Sequence, residues 1–352
     1  MNELQKTKKN LRQFARTAPP RKHIKRLGID VARLPVPKSS LSSKEFEASM
    51  SVSGATLKTR LFPQAPVTLQ RRYVRQYETG DPVTAQVLAG LRNHLIVEVS
   101  GRGSAELVWH NHQPRAQSVY IIVKGLENLT IREERQTADV WQRVSVMSDN
   151  TRVQYTLVHR QRKGFSFADY IGTAPEFFWQ IGIRNAAIQI TRLTSNNRSR
   201  GSKGMQLAAL RTESKSRNVI DMLNNHQGLQ TEGDMKLHGV GEDESVIYTE
   251  GMIRVEPKAA YTNSYLTQKV LLMSDSAQAK TIPNLEILNN EVKASHGATV
   301  GRPDRAAMFY LETKGLSRDK VRELLIKAHL SEIIDQTVGG AAQAALRELL
   351  LD

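Results

Sequence analysis

The feature that most limits the fold of this chain is a series of short β-rich runs between residues 94 and 273. Val, Ile, Thr and Tyr dominate these runs, and Gly, Asn, Asp or Ser separate them. No helical segment of about 10–15 residues intervenes, which argues against a doubly wound α/β sheet. The runs are HLIVEVS (94–100), AELVWH (105–110), SVYIIV (118–123), NLTIRE (128–133), VWQRVSVM (140–147), RVQYTLVH (152–159), AAIQITRL (186–193), MQLAAL (205–210), VIYTEGMIRV (246–255) and KVLLM (269–273).

Short strands in series fit a sandwich, a barrel or a solenoid. The strand-rich region is large for one sandwich, which favours a β-helix, although no clean internal repeat is visible. We therefore predict a mainly β protein with a parallel β-helix core and small helical regions at both termini. The predicted domains are a basic region with short helices (1–67), the β-helix (68–300) and a helical region (301–352).

The predicted C-terminal helical region has clear start and stop signals. Pro303 suits the first turn of one helix, Gly315 its C-terminal cap, and Ser317 can cap a second helix. Gly339–Gly340 interrupts the second helix before a third, short one. The second helix has an apolar stripe at helical spacing, made of Val321, Leu324, Leu325 and Ala328. Such a face must pack on the β-helix or on a partner.

Charge is concentrated at the N-terminus. The net charge is +15, and residues 1–40 contribute eleven Lys or Arg residues against Glu3 and Asp30. This arm either binds nucleic acid or an acidic partner, or is a solvated extension. Aromatic residues, which support binding of single strands by base stacking, are nearly absent from it. A stand-alone basic β-helix that binds nucleic acid is therefore the alternative function, and nucleic acid is an unlikely partner.

Composition excludes several classes of site. The chain has no cysteine, so disulfides, thiolate zinc sites and cysteine nucleophiles are impossible. It also lacks the GxxxxGK[ST] phosphate-binding loop, GxSxG, HExxH and GxGxxG. No apolar stretch approaches the ~20 residues of a membrane span, and the N-terminus lacks the apolar core of a secretory signal. We expect a cytoplasmic protein without a membrane partner.

Four short motifs carry candidate chemistry. The basic loop Arg198–Gly204 could bind a phosphate, but also suits a turn between strands. His110 and His112 are spaced to face one side of a strand and so could bind a metal. Glu242–Asp243–Glu244 could supply the carboxylates of a glycan-acting enzyme, but its sequence suits an exposed turn. The small-residue segment Ser295–Gly301 contains His296, which by itself suits a structural hydrogen bond.

The last third of the chain resembles the C-terminal part of the SufB/SufD family of iron–sulfur cluster assembly scaffolds. The resemblance extends from about His226 to Asp335. It includes an early histidine and threonine, a glycine-and-β-branched run, a leucine-rich run, proline followed by LEI, the SHGATVG heptapeptide and FYL. These stand here as His226 and Thr231, GMIRV, VLLMS, Pro283 with LEI, residues 295–301, and residues 309–311.

The resemblance implies a right-handed parallel β-helix with helical flanks. It also implies that the protein is a non-catalytic subunit that pairs through its last coils with a SufB-type subunit, or with itself. A SufC-type ATPase would dock on the helical tail, where the matching surface comprises Phe309, Val321, Leu324, Leu325 and Ala328. A transient iron–sulfur cluster would be shared with the partner, and the sequence leaves open whether iron or a flavin also binds.

Two positions place the chain nearer to the SufD branch than to the SufB branch. SufB-type chains carry glutamate after the histidine of the heptapeptide and cysteine about 28 residues before that histidine. Here these positions are Gly297 and Gln268. His296 matches the histidine that SufD-type chains contribute at the subunit interface, and a neutral imidazole is a good iron ligand. His296 is therefore the predicted iron or cluster ligand.

Overall fold

A computed structural model of the chain describes residues 50–62, 94–111, 115–136 and 140–352. Eighteen strands and three helices lie in these ranges. The strands are β1 (Met50–Ser53), β2 (Thr56–Phe62), β3 (His94–Ser100), β4 (Ser104–Asn111), β5 (Arg115–Lys124), β6 (Asn128–Arg135), β7 (Val140–Met147), β8 (Arg152–Gln161), β9 (Phe165–Thr173), β10 (Glu176–Asn185), β11 (Ile188–Asn197), β12 (Lys203–Thr212), β13 (Arg217–His226), β14 (Glu232–Gly241), β15 (Val246–Val255), β16 (Asn263–Leu272), β17 (Gln278–Ile287) and β18 (Lys293–Gly301). The helices are α1 (Arg305–Thr313), α2 (Arg318–Ile334) and α3 (Gly340–Leu351).

The strands form two nine-stranded sheets. Sheet A has the order β1-β4-β6-β8-β10-β12-β14-β16-β18, and sheet B has the order β17-β15-β13-β11-β9-β7-β5-β3-β2. From β3 onward each strand pairs in parallel with the strand two places along the chain, as β14 does with β16 and β15 with β17. The chain therefore alternates between the two sheets, which confirms the predicted parallel β-helix with about seven turns.

The length of a turn increases along the solenoid. Arg152 and Glu176 meet on adjacent rungs of sheet A and are 24 residues apart, whereas Arg211 and Glu242 on later rungs are 31 residues apart. A repeat of drifting length leaves no fixed period in the sequence. This explains why no clean repeat is visible although the architecture is repetitive.

The core lies between the sheets, where alternate side chains of each strand point inward. One inward-facing row of sheet A can be followed through consecutive rungs by register. It consists of Leu107, Ile131, Tyr155, Trp179, Gln206, Met235, Leu266 and His296. Its first seven members are at most 1% exposed. The row therefore marks the solenoid interior from the first parallel rungs to the last strand.

The first strands end the parallel stack with a change of direction. β1 pairs antiparallel with β4, and β2 pairs antiparallel with β3. We predicted short helical pieces for residues 1–60, but 50–62 form these two strands, which bury Met50 against the core. The predicted helical pieces before residue 50 lie outside the described residues. Backbone pairing with the first coil explains the difference, because tertiary contacts override weak local propensity.

Helices α2 and α3 pack on the outer face of sheet A. An apolar cluster joins Leu207, Ala209 and Val240 of the sheet to Leu330 of α2 and Leu346 of α3. Polar contacts add to it: the Gln180 side-chain amide makes two hydrogen bonds to the backbone of Val338, between the helices. No helix in the described part of the chain is both long and apolar enough to cross a membrane.

The predicted helix signals are largely confirmed. Ser317 caps α2 through a hydrogen bond from the Lys320 amide, and Gly315 has a left-handed φ of 91° after α1. The first helix begins later than predicted, because Asp304, and not a residue before Pro303, provides its N-cap.

Candidate functional site

The candidate site lies at the C-terminal end of the solenoid, where β17 and β18 form the last coil. Each of these strands pairs with one neighbour in its sheet, so each is an edge strand. Most residues of β18 are exposed, whereas residues of the same rows on β16 alternate between buried and exposed. The interior of the solenoid is therefore open at this end.

Register places His296 on the inward side of β18. Its pairing partner on β16 is Leu266, a core residue that is 1% exposed. Ala298 pairs with Gln268 and Val300 with Val270 in the same way. His296 is nevertheless exposed, because no further coil lies over it in the described structure. The imidazole thus stands at the mouth of the solenoid interior.

Apolar side chains surround this mouth. Val300 is 40% exposed and Leu285 37% exposed, although their rows are buried one rung earlier. Ala279, Ile287 and Val292 pack against the core from the same coil and are only partly buried. An end of this composition resembles a core that has been cut, and it is suited to being covered by another apolar surface.

Gln268 lies one rung below the mouth and is fully buried. Neither atom of its side-chain amide has a hydrogen-bond partner. It occupies the position at which SufB-type chains carry cysteine, next to the row that ends in His296. The structure therefore brings together the two positions on which the choice of branch rests.

The predicted ATPase-binding residues are split between surface and core. Phe309 on α1 is 67% exposed, and Leu324 and Ala328 on α2 are also exposed. Leu325 is partly buried, and Val321 is fully buried, so Val321 has no surface to offer a partner. The buried residues of α2 are Val321, Ile326, Leu330, Ile333 and Ile334. The predicted stripe is thus rotated from the buried one, because contact with sheet A selects the buried face.

A cleft of about 620 Å³ lies beside α1, between it, the start of α2 and the turn after β16. Met308 and Phe309 form its apolar part, and α1 has no buried residue. Arg302, Arg305, Arg318 and Arg322 line it together with Asp275 and Glu312. An apolar, net basic cleft beside an uncovered helix is suited to an acidic protein surface.

The other candidate motifs receive structural explanations. His110 Nδ1 lies 3.1 Å from Glu134 Oε2, and His112 is outside the described residues. No group of three metal-ligating side chains occurs in the described ranges. In the basic loop, Arg198 and Arg200 donate to Gln227 and Gln230 on the next turn.

The third cation of that loop, Lys203, pairs with Glu232 at 2.9 Å. The loop thus acts as an inter-turn link, as expected for a turn between strands. The acidic motif is also a turn, after β14, in which Glu242 accepts a hydrogen bond from Arg211.

The sequence analysis missed a buried polar cluster inside the first coils. Glu133 is fully buried, and its carboxylate accepts hydrogen bonds from Tyr155, Tyr170, Asn111 and Gln142 at 2.7–2.9 Å. Burial, followed by the charge of Glu133, raises the pKa of Tyr155 well above 10, which keeps its hydroxyl protonated as a donor. A signal was present, because Glu133 continues the inward alternation of the strand NLTIREER.

It also missed a buried histidine chain. His226 Nδ1 lies 2.8 Å from Thr231 Oγ1, which lies 3.0 Å from Thr262 Oγ1. Thr262 donates to the Ala259 carbonyl, so the chain runs from His226 Nδ1–H outward and fixes that tautomer. Burial lowers the pKa of His226 to about 4. The histidine and threonine quoted for the family resemblance therefore form one internal hydrogen-bond chain.

Comparison with known proteins decides the family. A family model described as SUF system FeS cluster assembly, SufBD core domain, matches residues 116–329, more than half of the chain. The chain belongs to the SufB/SufD family. The matched range includes the inward row, Gln268 and His296, and it ends within α2. Relatives named SufD place the chain in the SufD-like part of this iron–sulfur cluster assembly family.

Three relatives show the extent of the similarity. The chain is 26% identical to the iron–sulfur cluster assembly protein SufD of Bacillus subtilis over 201 residues, which are 54% of this chain and 45% of that protein. It is 39% identical to SufD of Escherichia coli over 85 residues, 24% of this chain and 20% of that protein. It is 33% identical to a SufBD family protein of Pyrococcus horikoshii over 113 residues, 29% of this chain and 25% of that protein. Each match covers less than half of the relative's length.

Proposed function

We propose that this chain is a non-catalytic subunit of a Suf-type scaffold on which iron–sulfur clusters are built or loaded. It pairs through the open end of its solenoid with a SufB-type subunit, or with a second copy of itself, and its helical region docks a SufC-type ATPase. The cluster is the cargo of this assembly, held transiently and shared with the partner. Because the ATPase needs ATP, we expect the assembly to work in the cytoplasm.

One observation carries the pairing proposal: the inward row that is buried through seven rungs ends in an exposed His296. The edge strands β17 and β18 keep their parallel direction and their unpaired backbone groups. A partner coil at this end would cover Val300 and Leu285 and satisfy the backbone. His296 would then lie inside the joint interior.

His296 is the iron-binding residue in this proposal. A neutral imidazole suits iron, whereas clusters are usually held mainly by thiolates. The chain has no cysteine, so the remaining ligands must come from the partner or from the cargo itself. This need for a partner agrees with the choice of a scaffold subunit over a self-sufficient enzyme.

The ATPase surface in this proposal is α1 with the exposed side of α2. Phe309 and Tyr310 are 67% and 59% exposed, and they stand beside the arginine-lined cleft. Leu324, Leu325 and Ala328 extend this surface, while Val321 supports it from the core. The chain lacks a phosphate-binding loop, so nucleotide chemistry belongs to the docked subunit.

The test is co-purification of the full chain with the SufB-type protein and the SufC-type ATPase of the same genome. We expect a stable complex that keeps its composition when His296→Ala is introduced but contains less iron or cluster by absorbance and metal analysis. Ser295→Ala is the matched control, because this neighbour on β18 faces outward, and it should keep the metal content. Phe309→Glu should lose the ATPase while keeping the SufB-type subunit.

Two results would contradict the proposal. Absence of any complex at moderate salt would remove the scaffold assignment. Equal metal content in the His296→Ala and Ser295→Ala complexes would remove His296 as a ligand while leaving the pairing intact.

A further inference from the structure

A ladder of four outward-facing side chains crosses sheet A. Register places Phe178, Met205, Asp234 and Tyr265 side by side on β10, β12, β14 and β16. Their neighbours along the strands, such as Met235, point into the core. The ladder thus lies on the outer surface, and Asp234 is its one charged member.

Asp234 has no hydrogen-bond or ion-pair partner among the described residues, although it is partly buried. The next row differs, because there Lys203 and Glu232 neutralise each other at 2.9 Å. Burial raises the pKa of Asp234 above 3.8, and nearby Lys236 opposes this only in part. A carboxylate between a thioether and an aromatic ring has lost hydration without gaining a partner.

The ladder forms the wall of a small cleft. Its volume is about 190 Å³, and Phe178, Met205, Asp234 and Tyr265 all line it. Lys203, Glu232 and Asn263 make up its polar rim. Tyr265 is 43% exposed, so its ring is accessible from the cleft. Aromatic and thioether walls around one carboxylate are suited to a cation that carries apolar carbon atoms.

We propose that this cleft binds a monovalent organic cation on a short apolar stem, such as an alkylammonium or alkylguanidinium group. The charged head pairs with Asp234, and the stem lies against Phe178, Met205 and Tyr265. A free amine and the side chain of a partner's lysine or arginine share this chemistry. Divalent metal ions fit less well, because they require more oxygen ligands than the cleft provides.

The test uses the full chain at pH 7 with n-butylammonium as the probe, followed by saturation-transfer NMR of the probe's methyl and methylene protons. 1-Pentanol, of similar size but uncharged, is the matched control ligand. The variants are Asp234→Asn, which keeps the shape of the side chain, and Tyr265→Leu, which removes the ring. Asp149→Asn is the control variant, because Asp149 is an exposed carboxylate in the turn after β7.

We expect saturable binding of butylammonium and weaker binding of pentanol. Asp234→Asn should weaken butylammonium binding about fivefold or more, as expected for loss of a charge pair of about 1 kcal/mol. Tyr265→Leu should weaken it about twofold, and Asp149→Asn should have no effect. Binding should also decrease at acid pH as Asp234 is protonated, and this pH dependence should be absent from Asp234→Asn.

A second titration with Nα-acetyl-lysine methylamide distinguishes the two sources of the cation. Binding as strong as that of butylammonium assigns the cleft to a basic side chain of a partner protein, and much weaker binding assigns it to a free amine. The proposal is overturned if butylammonium does not saturate, if pentanol binds equally well, or if Asp234→Asn binds like the unchanged protein. None of these results depends on the scaffold function or on His296.

Discussion

The two ends of the solenoid differ in how the described strands finish the stack. At the N-terminal end β1 and β2 reverse direction and pair antiparallel with the first coil, and Met50 is buried there. At the C-terminal end β17 and β18 keep the parallel direction, and no described strand lies beyond them. The same inward row begins with a fully buried Leu107 and ends with an exposed His296.

This difference teaches where the chain is self-sufficient. A reversed strand ends a parallel register, and thus limits addition of further strands at that edge. An end that retains both its parallel register and its exposed core residues can be continued by another solenoid, which is the basis of the pairing proposal. The predictions below ask whether the interior near one end is indeed closed and the other end open.

The largest effect should come from the polar cluster in the first coils. Glu133→Ala leaves the buried donors of Tyr155, Tyr170, Asn111 and Gln142 without their acceptor. We expect the free energy of unfolding, measured with urea, to fall by about 3–5 kcal/mol. Glu134→Ala, at the neighbouring surface position, should cost less than about 1 kcal/mol. A similar loss in both variants would mean that Glu133 does not hold the first coils together.

A smaller effect should separate the covered histidines from the open one. His329 of α2 stacks on His238 of β14 with ring centroids 4.7 Å apart, and the charged groups facing them are Lys236, Lys269 and Glu332. Burial lowers the pKa of His329 to about 4, whereas the ordinary value is 6.5. The unfolded chain therefore takes up the proton first, and the stabilisation is present above pH 6.5 and lost as the pH falls towards 4.

This loss should reach about 3 kcal/mol, because each pKa unit corresponds to about 1.4 kcal/mol. His329→Asn should flatten the dependence of unfolding free energy on pH between 6.5 and 4. His296→Asn should leave that dependence unchanged, because His296 is exposed. Identical pH profiles for His329→Asn and the unchanged protein would show that the stacked pair does not control the docking of α2.

The sharpest matched comparison uses two valines of one row. Val270 is 3% exposed on β16, and Val300 on the next rung is 40% exposed. Val270→Ala should destabilise the isolated chain by about 2 kcal/mol, and Val300→Ala by less than about 0.5 kcal/mol. If the two variants cost the same in urea unfolding, the last coil is already covered in the isolated chain.

The sequence was sufficient for the architecture because strand propensity, short spacing and absent helices all agree. It could not reveal the coil length, which increases from 24 residues between rungs to 31. The face of α2 was wrong because helical spacing alone does not choose between stripes one residue apart. Contact with Leu207 and Val240 of sheet A selects Ile326 and Leu330 instead.

The candidate site shows the same division. His296 was predicted through the SHGATVG resemblance, but its inward direction depends on pairing with Leu266 across 30 residues, which no local pattern contains. The cluster around Glu133 joins five strands, so its members are far apart in the sequence. Asp234 became conspicuous only when register placed it between Met205 and Tyr265.

The most direct test of the open end is amide hydrogen exchange on the full chain, free and in complex with the SufB-type protein. We predict that exchange slows most in β17 and β18, with His296 and Val300 inside the protected segment, and stays unchanged in β1 and β2. Slower exchange at β1 and β2 with no change in β17 and β18 would contradict the account, because it would place the partner at the closed end.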